Sequence, residues 1–419
     1  MQGCKRRPAI LILLGALLAG IGGCDQLLEV DIPGRVQDRD LDYPALAPTL
    51  VAGALGEFEC ALNQMIPTNA FLTGEFISSN FFLASNAWGR REEPFMRDSP
   101  GECPDDRGIA SYGYYTPMQR ARWMAEDAAR RIAEFSDAEL PGKAGMLASL
   151  NAYAGYAYIH LAQNYCEIAI DNGPLMTTDE TLAIAEQRFT DAIQFADAAG
   201  DDDIRNMALV GRARARLNLG ELAEAALDAE QVPEGYVRNA EYSTASVRRE
   251  NSTFNRTDTD FMSVGAEWRD LQVNGAPDPR VPVVNSGDVG QDGTTPQWDQ
   301  MKYTSRADPI PIASWREAQF IIAEARGGQE AIDAMNRVRS THNLDPIDPA
   351  DVVDVLQTIL EERRREFFLE GQRHSDMIQH GIPFPSGLNH KGQIFQPYEC
   401  IPLPNVERFN NPNLQVAAP

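Results

Sequence analysis

The stretch LEERRREFFLEGQRHSDMIQHG, Leu360 to Gly381, sets Glu361, Glu362, Glu366, Glu370 and Asp376 among Arg363, Arg364, Arg365 and Arg373. Clustered carboxylates suggest acid–base work, but a general acid needs a carboxyl isolated from cations so that its pKa rises. Here arginines surround the acids, which predicts structural ion pairs. Glu361 and Arg365 are spaced i,i+4 in the favourable orientation, and Glu362 and Arg365 are spaced i,i+3. The five histidines, His160, His342, His374, His380 and His390, make no HExxH, and His374 and His380, six apart, do not share a helical face. No phosphate-cradling glycine loop and no GxSxG elbow occurs. No catalytic residue, cofactor or metal is therefore assigned, and the chain reads as a non-enzyme. Asn251-Ser252-Thr253 matches a glycosylation acceptor, a three-residue pattern that carries little weight alone.

The N-terminus opens with Lys5, Arg6 and Arg7, followed by an apolar run from Pro8 to Gly23 that Asp25 ends. The run is shorter than the roughly 20 residues a membrane span needs and has the plan of a signal peptide. Ile21-Gly22-Gly23-Cys24 resembles the bacterial lipobox, which would make Cys24 a lipidated N-terminus; the alternative is an ordinary secretory signal. In both cases the protein leaves the cytosol. Removing residues 1–23 takes three of the 37 Lys and Arg and leaves 34 against 61 Asp and Glu, a net charge of −27. Nucleic acid and anionic lipid headgroups, which are bound through basic patches, are excluded as partners. Membrane attachment would rest on the lipid, with residues 25–39 as a tether. Cys60, Cys103, Cys166 and Cys400 remain for an oxidising compartment. Three pairings are open; Cys60–Cys103, closing an irregular loop, and Cys166–Cys400, tying the tail to the helices, are preferred. Without CxxC spacing a zinc site is disfavoured.

The remaining elements are mainly helical. Helical patterning covers Tyr43 to Cys60, Pro117 to Phe135, Lys143 to Cys166 and Asp179 to Ala198, with Tyr153, Tyr156 and Ala157 on one stripe and Phe189, Ala192, Ile193 and Ala196 on another. Residues 206–233 place Ala208, Ala213, Gly220, Ala225 and Ala229 where paired helices approach closely, which resembles a tetratricopeptide repeat. A second helix pair spans Ser314 to Thr341 and turns at Gly327 and Gly328. A last helical block runs from Asp351 to His380, and a proline-rich tail after it is expected to be extended. Between these lie two long irregular regions, Asn63 to Gly113 and Pro233 to Pro311, where loops and short strands are expected.

Glu362-Arg363-Arg364-Arg365-Glu366, then Phe368-Leu369-Glu370-Gly371, Arg373, Asp376 and Gly381, resembles the signature helix of the SusD/RagB family. Ile322-Ala323-Glu324-Ala325 with Ala334, Asn336, Val338 and Arg339 resembles the family's penultimate helix pair. Ile401-Pro402-Leu403-Pro404, Glu407 and Asn411-Pro412-Asn413-Leu414 resemble its tail. Ser314 departs from the pattern, standing where many members have arginine. The resemblance implies a SusD-like helical fold with tetratricopeptide-like pairs, long irregular loops and few short strands: a signal peptide at 1–23, an N-terminal half at 24–235 and a C-terminal half at 236–419. It implies a lipoprotein of the outer membrane, facing the exterior, that captures an oligosaccharide or a peptide and lies as a lid over a SusC-like TonB-dependent transporter. A tetratricopeptide-type interaction scaffold and a glycoside hydrolase are the alternatives.

A neutral sugar offers hydroxyls at its edge and a C–H face that packs on aromatic rings. The candidate ligand residues are therefore Asn86, Trp88 and Arg90 in the first irregular region, with Phe81, Phe82, Tyr112, Tyr114 and Tyr115 nearby, and Trp268, Arg269, Trp298 and Tyr303 in the second. Trp88 leads. For each, the structural alternative is a buried loop anchor.

Overall fold

The computed structural model describes residues 38–104 and 112–414. The leader and Cys24 lie outside the described residues, as does nearly all of the expected tether. Asp38–Asp42 forms a 3-10 turn, and Pro44–Pro419 makes up one compact unit.

Helix α1, Ala47–Thr73, runs 13 residues beyond the expected end at Cys60, straight through Pro67. Proline removes the N–H that would bond the Asn63 carbonyl. That carbonyl instead accepts the Ser252 hydroxyl at 2.5 Å, while the Asn63 side chain donates to Glu250 O and accepts from Ser252 N. A distant segment thus repairs the break, which no local pattern shows. The irregular region shrinks accordingly and contains two short helices, α2 (Leu83–Gly89) and α3 (Glu93–Asp98).

Helices α4 (Tyr115–Ala133), α5 (Lys143–Asn164), α6 (Thr178–Ala199), α7 (Asp202–Asn218) and α8 (Leu222–Ala229) pack in sequence, each against the next. Thr177 and Glu180 form a reciprocal capping box on α6, and Asp201 caps α7 by accepting from Ile204 N. The predicted stripes face inward, with Phe189, Ala192, Ala196, Tyr156, Ala208, Ala213, Ala225 and Ala229 fully buried. Close approach centres on Phe189, whose ring occupies the space a Cβ would take at Gly155 of α5 and Gly211 of α7. Gly220, expected among the small contact residues, instead turns the chain at φ 79° beside open space.

The second irregular region forms short antiparallel pairs, one of them with a strand of the first: β1 (Phe76–Ser78) with β3 (Met262–Val264), β2 (Val237–Ala240) with β6 (Ile310–Ser314), and β4 (Val283–Val289) with β5 (Pro296–Gln300). It also holds the short helix α9, Ser252–Asp258. Asn251, the glycosylation look-alike, is buried as the α9 cap, accepting from Phe254 N and donating to Asp308 O. Helices α10 (Trp315–Arg326) and α11 (Gly328–Thr341) meet at Gly327 and Gly328, both at positive φ, where a side chain would be strained. Ser314 caps α10 through Glu317 N. Helix α10 packs on α7 and α8, so residues from both halves of the chain share one core.

The signature stretch is not one helix. It forms α12 (Val355–Glu366) and α13 (Arg373–His380), separated by a turn with Leu369 at φ 55° and Gly371 at φ 81°. The break is held by tertiary partners: Leu369 N donates to the buried Glu75 carboxylate at 2.8 Å, and Phe368 stacks on Trp268 at 5.2 Å. The arginines and acids form the expected ion-pair network. Arg363 meets Asp376 at 2.8 Å, and Arg365 meets Glu361 at 2.7 Å and Asp278 at 3.0 Å. Glu362 does not pair with Arg365; it turns inward to Arg280 and Arg339, at 2.7 and 2.8 Å. The tail has no helix before Pro404 but is not extended throughout: it doubles back at 387–395, where Asn389 N bonds Gln393 O and Phe395 N bonds Gly387 O, and Asn405–Asn410, free of proline, then forms the short helix α14. Disulfides join Cys60 to Cys103 and Cys166 to Cys400, the preferred pairing. Ile401 beside the second bridge exchanges backbone bonds with Asn164 and Cys166.

Candidate ligand-binding cavity

An open cavity of about 920 Å³ lies where three stretches far apart in sequence converge. Its size is in the upper range for small-molecule sites. The first wall is β1 and the start of α2, with Ser78, Asn80, Phe81, Leu83, Asn86 and Arg90. The second comprises Ala266, Glu267 and Arg269 with the hairpin tip at Asp292–Pro296, and the third is Pro385–Phe395.

Each wall is fixed by backbone acceptors and buried charge. Asn80 pins the first: its Nδ2 donates to Phe261 O, and its Oδ1 accepts from Phe82 N and the Ser85 hydroxyl. Asn86 Nδ2 donates to Phe82 O at 2.7 Å and Asn80 O at 3.2 Å. In the hairpin tip Asp292 accepts from Thr294 N and Thr295 N at 3.0 and 2.8 Å, and Gly290 presses directly on Ser79. Lys391 bridges all three walls, bonding Asp292 at 2.8 Å and Asn80 O at 2.5 Å. Burial favours the neutral form of Asp292, but Lys391 and the Thr295 and Thr294 donors outweigh it and hold the carboxyl far below its usual range. The third wall hangs on Arg91, whose Nη2 donates to Pro385 O and Gln396 O and whose guanidinium lies against the Phe384 and Phe395 rings, at 5.5 and 5.2 Å. Burial lowers the Arg91 pKa to about 10, Glu399 opposing, so it stays charged at neutral pH. His390 Nε2 meets Ser78 O at 2.9 Å, which makes it the protonated nitrogen and leaves Nδ1 as an acceptor.

The rim is apolar. Phe81, Leu83 and Leu388 are 70, 63 and 67 % exposed, the kind of exposed patch that marks an interaction surface. Phe81 heads a stack of rings, 5.0 Å from Phe82, which is 5.5 Å from Phe261. The rings beneath it set the orientation of the outermost face.

Of the residues singled out in the sequence, Asn86, Arg90, Phe81 and Arg269 line the cavity. Trp88, Trp268 and Tyr303 do not. They are 0, 2 and 4 % exposed and belong to the core, because α2 and the 266–268 turn face these large rings inward against α1 and the α12–α13 turn. Tyr303 donates to Leu369 O. Tyr114 and Tyr115 are likewise buried. Trp298 is half-buried outside the lining and is covered by Arg269 at 4.9 Å. The third wall was missed altogether. Its only signal was the polar run Asn389-His390-Lys391 interrupting a proline-rich tail. His160 and His374 are buried, and among the described residues no cluster suited to a metal ion occurs.

Fold and site together define a helical-pair scaffold that presents a loop-built ligand cavity. Residues 317–382 match the SusD family. The fold is similar to that of a SusD-like carbohydrate-binding protein from Bacteroides vulgatus (TM-score 0.64, 15 % identity, 89 % of this chain and 97 % of that one). It is also similar to a SusD superfamily protein from Parabacteroides distasonis (0.63, 12 %, 90 % and 98 %) and to B. fragilis NanU (0.61, 13 %, 92 % and 99 %). No curated protein matches the sequence. The matched segment, residues 317–382, holds the signature stretch, and the fold of the chain is the one these SusD-like structures share.

Proposed function

We propose that this protein is a non-catalytic, lipid-anchored binding protein of the outer membrane that captures an oligosaccharide in the 920 Å³ cavity and passes it to a SusC-like TonB-dependent transporter. The observation that carries this reading is the cavity's chemistry: the exposed Phe81 ring beside amide, hydroxyl and imidazole groups from three rigid walls. Such a surface suits a ligand with one C–H face and many hydroxyls. The relative described as carbohydrate-binding shares the fold that builds it. Hydrolysis is disfavoured, since a glycosidase needs one carboxylic acid with a raised pKa. Of the lining carboxyls, Asp292 is held ionised by its donors and Glu267 is exposed. The scaffold reading is disfavoured as well, because the small-residue stripes of α5 to α8 are filled by their own neighbours.

The test is calorimetric titration of the mature protein with a panel of glycans. Phe81→Ala should weaken binding by roughly fivefold, taking a ring contact as worth about 1 kcal/mol, without lowering the melting temperature, because the ring is 70 % exposed. Trp88→Ala, by contrast, should cost ~3–5 kcal/mol of stability. A panel without a binder, or unchanged affinity in Phe81→Ala, refutes the reading. Mass spectrometry of the mature amino terminus, with acyl chains expected on Cys24, tests the anchor, and co-purification of a large barrel subunit tests the transporter.

A further inference from the structure

We infer that Arg269 makes the cavity selective for an acidic sugar, a glycan unit bearing a carboxylate; this rests on the glycan-binding reading above. The inference comes from an inventory of the cations lining the cavity. Arg90 is spent on Glu92 and on Asn86 O, and Lys391 on Asp292 and Asn80 O. Arg269 alone among these three makes no ion pair among the described residues, although the charge of the adjacent Asp270 acts on it. Its Nε and Nη2 both donate to the single carbonyl of Val264, at 2.9 and 2.6 Å.

That arrangement fixes the orientation of the guanidinium while leaving most of its capacity unused. Of the five N–H groups, one on Nε and one on Nη2 are engaged by Val264, on the same side of the fork. The opposite edge, formed by Nη1 and the second N–H of Nη2, has no protein acceptor among the described residues. It presents the two parallel donors that a carboxylate accepts in bidentate fashion. Stacking on Trp298 at 4.9 Å stiffens the plane further, so little side-chain freedom remains to be lost on binding. Desolvation lowers the basicity of the partly buried guanidinium, the Asp270 charge opposing it only in part, and an incoming anion would relieve the remainder.

The competing charges do not cancel this. Asp292 is saturated by Lys391 and the threonine donors. Glu267 and Asp270 lie exposed, where water and salt screen them. A neutral sugar could take the free edge only through hydroxyls, which accept weaker bonds than a carboxylate does.

The experiment pairs an oligouronide with the same oligosaccharide after reduction of its carboxyls to alcohols, each titrated into the mature protein. The intact protein should bind the acid form at least tenfold more tightly. Arg269→Gln should abolish that preference, the loss for the acid form exceeding any loss for the reduced form by about tenfold. Arg269→Lys, which keeps the charge but loses the fork, should retain only part of it, and melting curves of both variants establish that they fold. Equal or tighter binding of the reduced glycan by the intact protein overturns the inference, as does an equal loss for both glycans in Arg269→Gln. Binding confined to neutral glycans sinks acidic selectivity alone, whereas absence of any glycan binding sinks the underlying reading with it.

Discussion

Substituting Gly211 by alanine isolates the contact that sets the spacing of the helix pairs. A Cβ at Gly211 would lie 2.3 and 2.4 Å from two ring carbons of Phe189, whereas at Gly155 the same ring is approached only to 2.8 Å. Two effects oppose one another. Alanine in a helix interior is favoured over glycine by about 1 kcal/mol, while overpacking a filled core costs ~1–3 kcal/mol. Phe189 is fully buried between α5 and α7, and its ring cannot yield without moving a helix, so the clash should win. Gly211→Ala is expected to lose up to about 2 kcal/mol net, and Gly155→Ala less. Chemical denaturation measures both. The coupling is the sharper observable. Phe189→Leu should cost less in the Gly211→Ala background than alone, giving an interaction energy of at least ~1 kcal/mol. A Gly211→Ala protein as stable as the parent, or strict additivity in the double variant, would refute the claim that this ring and this glycine determine the spacing.

Two other outcomes are expected. Burial, with some help from Arg214, pushes His160 down to about 3, and burial, with a smaller contribution from Arg91, pushes His374 down to about 4, although the bond to Glu399 opposes it. Their folded values lie below the unfolded one, so their contribution is complete above about pH 6.5 and disappears as pH falls toward 4. Unfolding free energy should drop by about 1.4 kcal/mol per pH unit for each histidine in that window, and His160→Leu should roughly halve the slope; an unchanged slope contradicts the assignment. Gly290→Ala, whose Cβ would sit 2.3 Å from the Ser79 Cβ, should displace the hairpin tip from the first wall and weaken glycan binding. The effect is steric, and unaltered affinity would show that this wall does not shape the site.

Helix-forming periodicity is local, which is why α4 to α8 and the α10–α11 pair were legible from stripe spacing and turn glycines. The ion-pair character of the signature stretch was legible for the same reason, since acids flanked by arginines cannot serve as free acids. The amino-terminal apolar run and the cysteine usage likewise carry an expectation of export that needs no reference to any fold. What required tertiary structure was whatever depends on distant partners. Pro67 stays within α1 because Ser252, 185 positions on, occupies the carbonyl it frees; the signature helix breaks because Glu75 captures Leu369 N. The same limit governs the site. An aromatic residue reads identically whether it will face water or core, and Phe81, just before α2, and Trp88, within it, have opposite fates. The third wall lies nearly 300 residues from the first and meets it through Arg91 and Lys391, whose acceptors are backbone carbonyls as well as a carboxylate. Carbonyls carry no side-chain identity, so composition and spacing could list the cavity's polar groups but only the folded chain could bring them together.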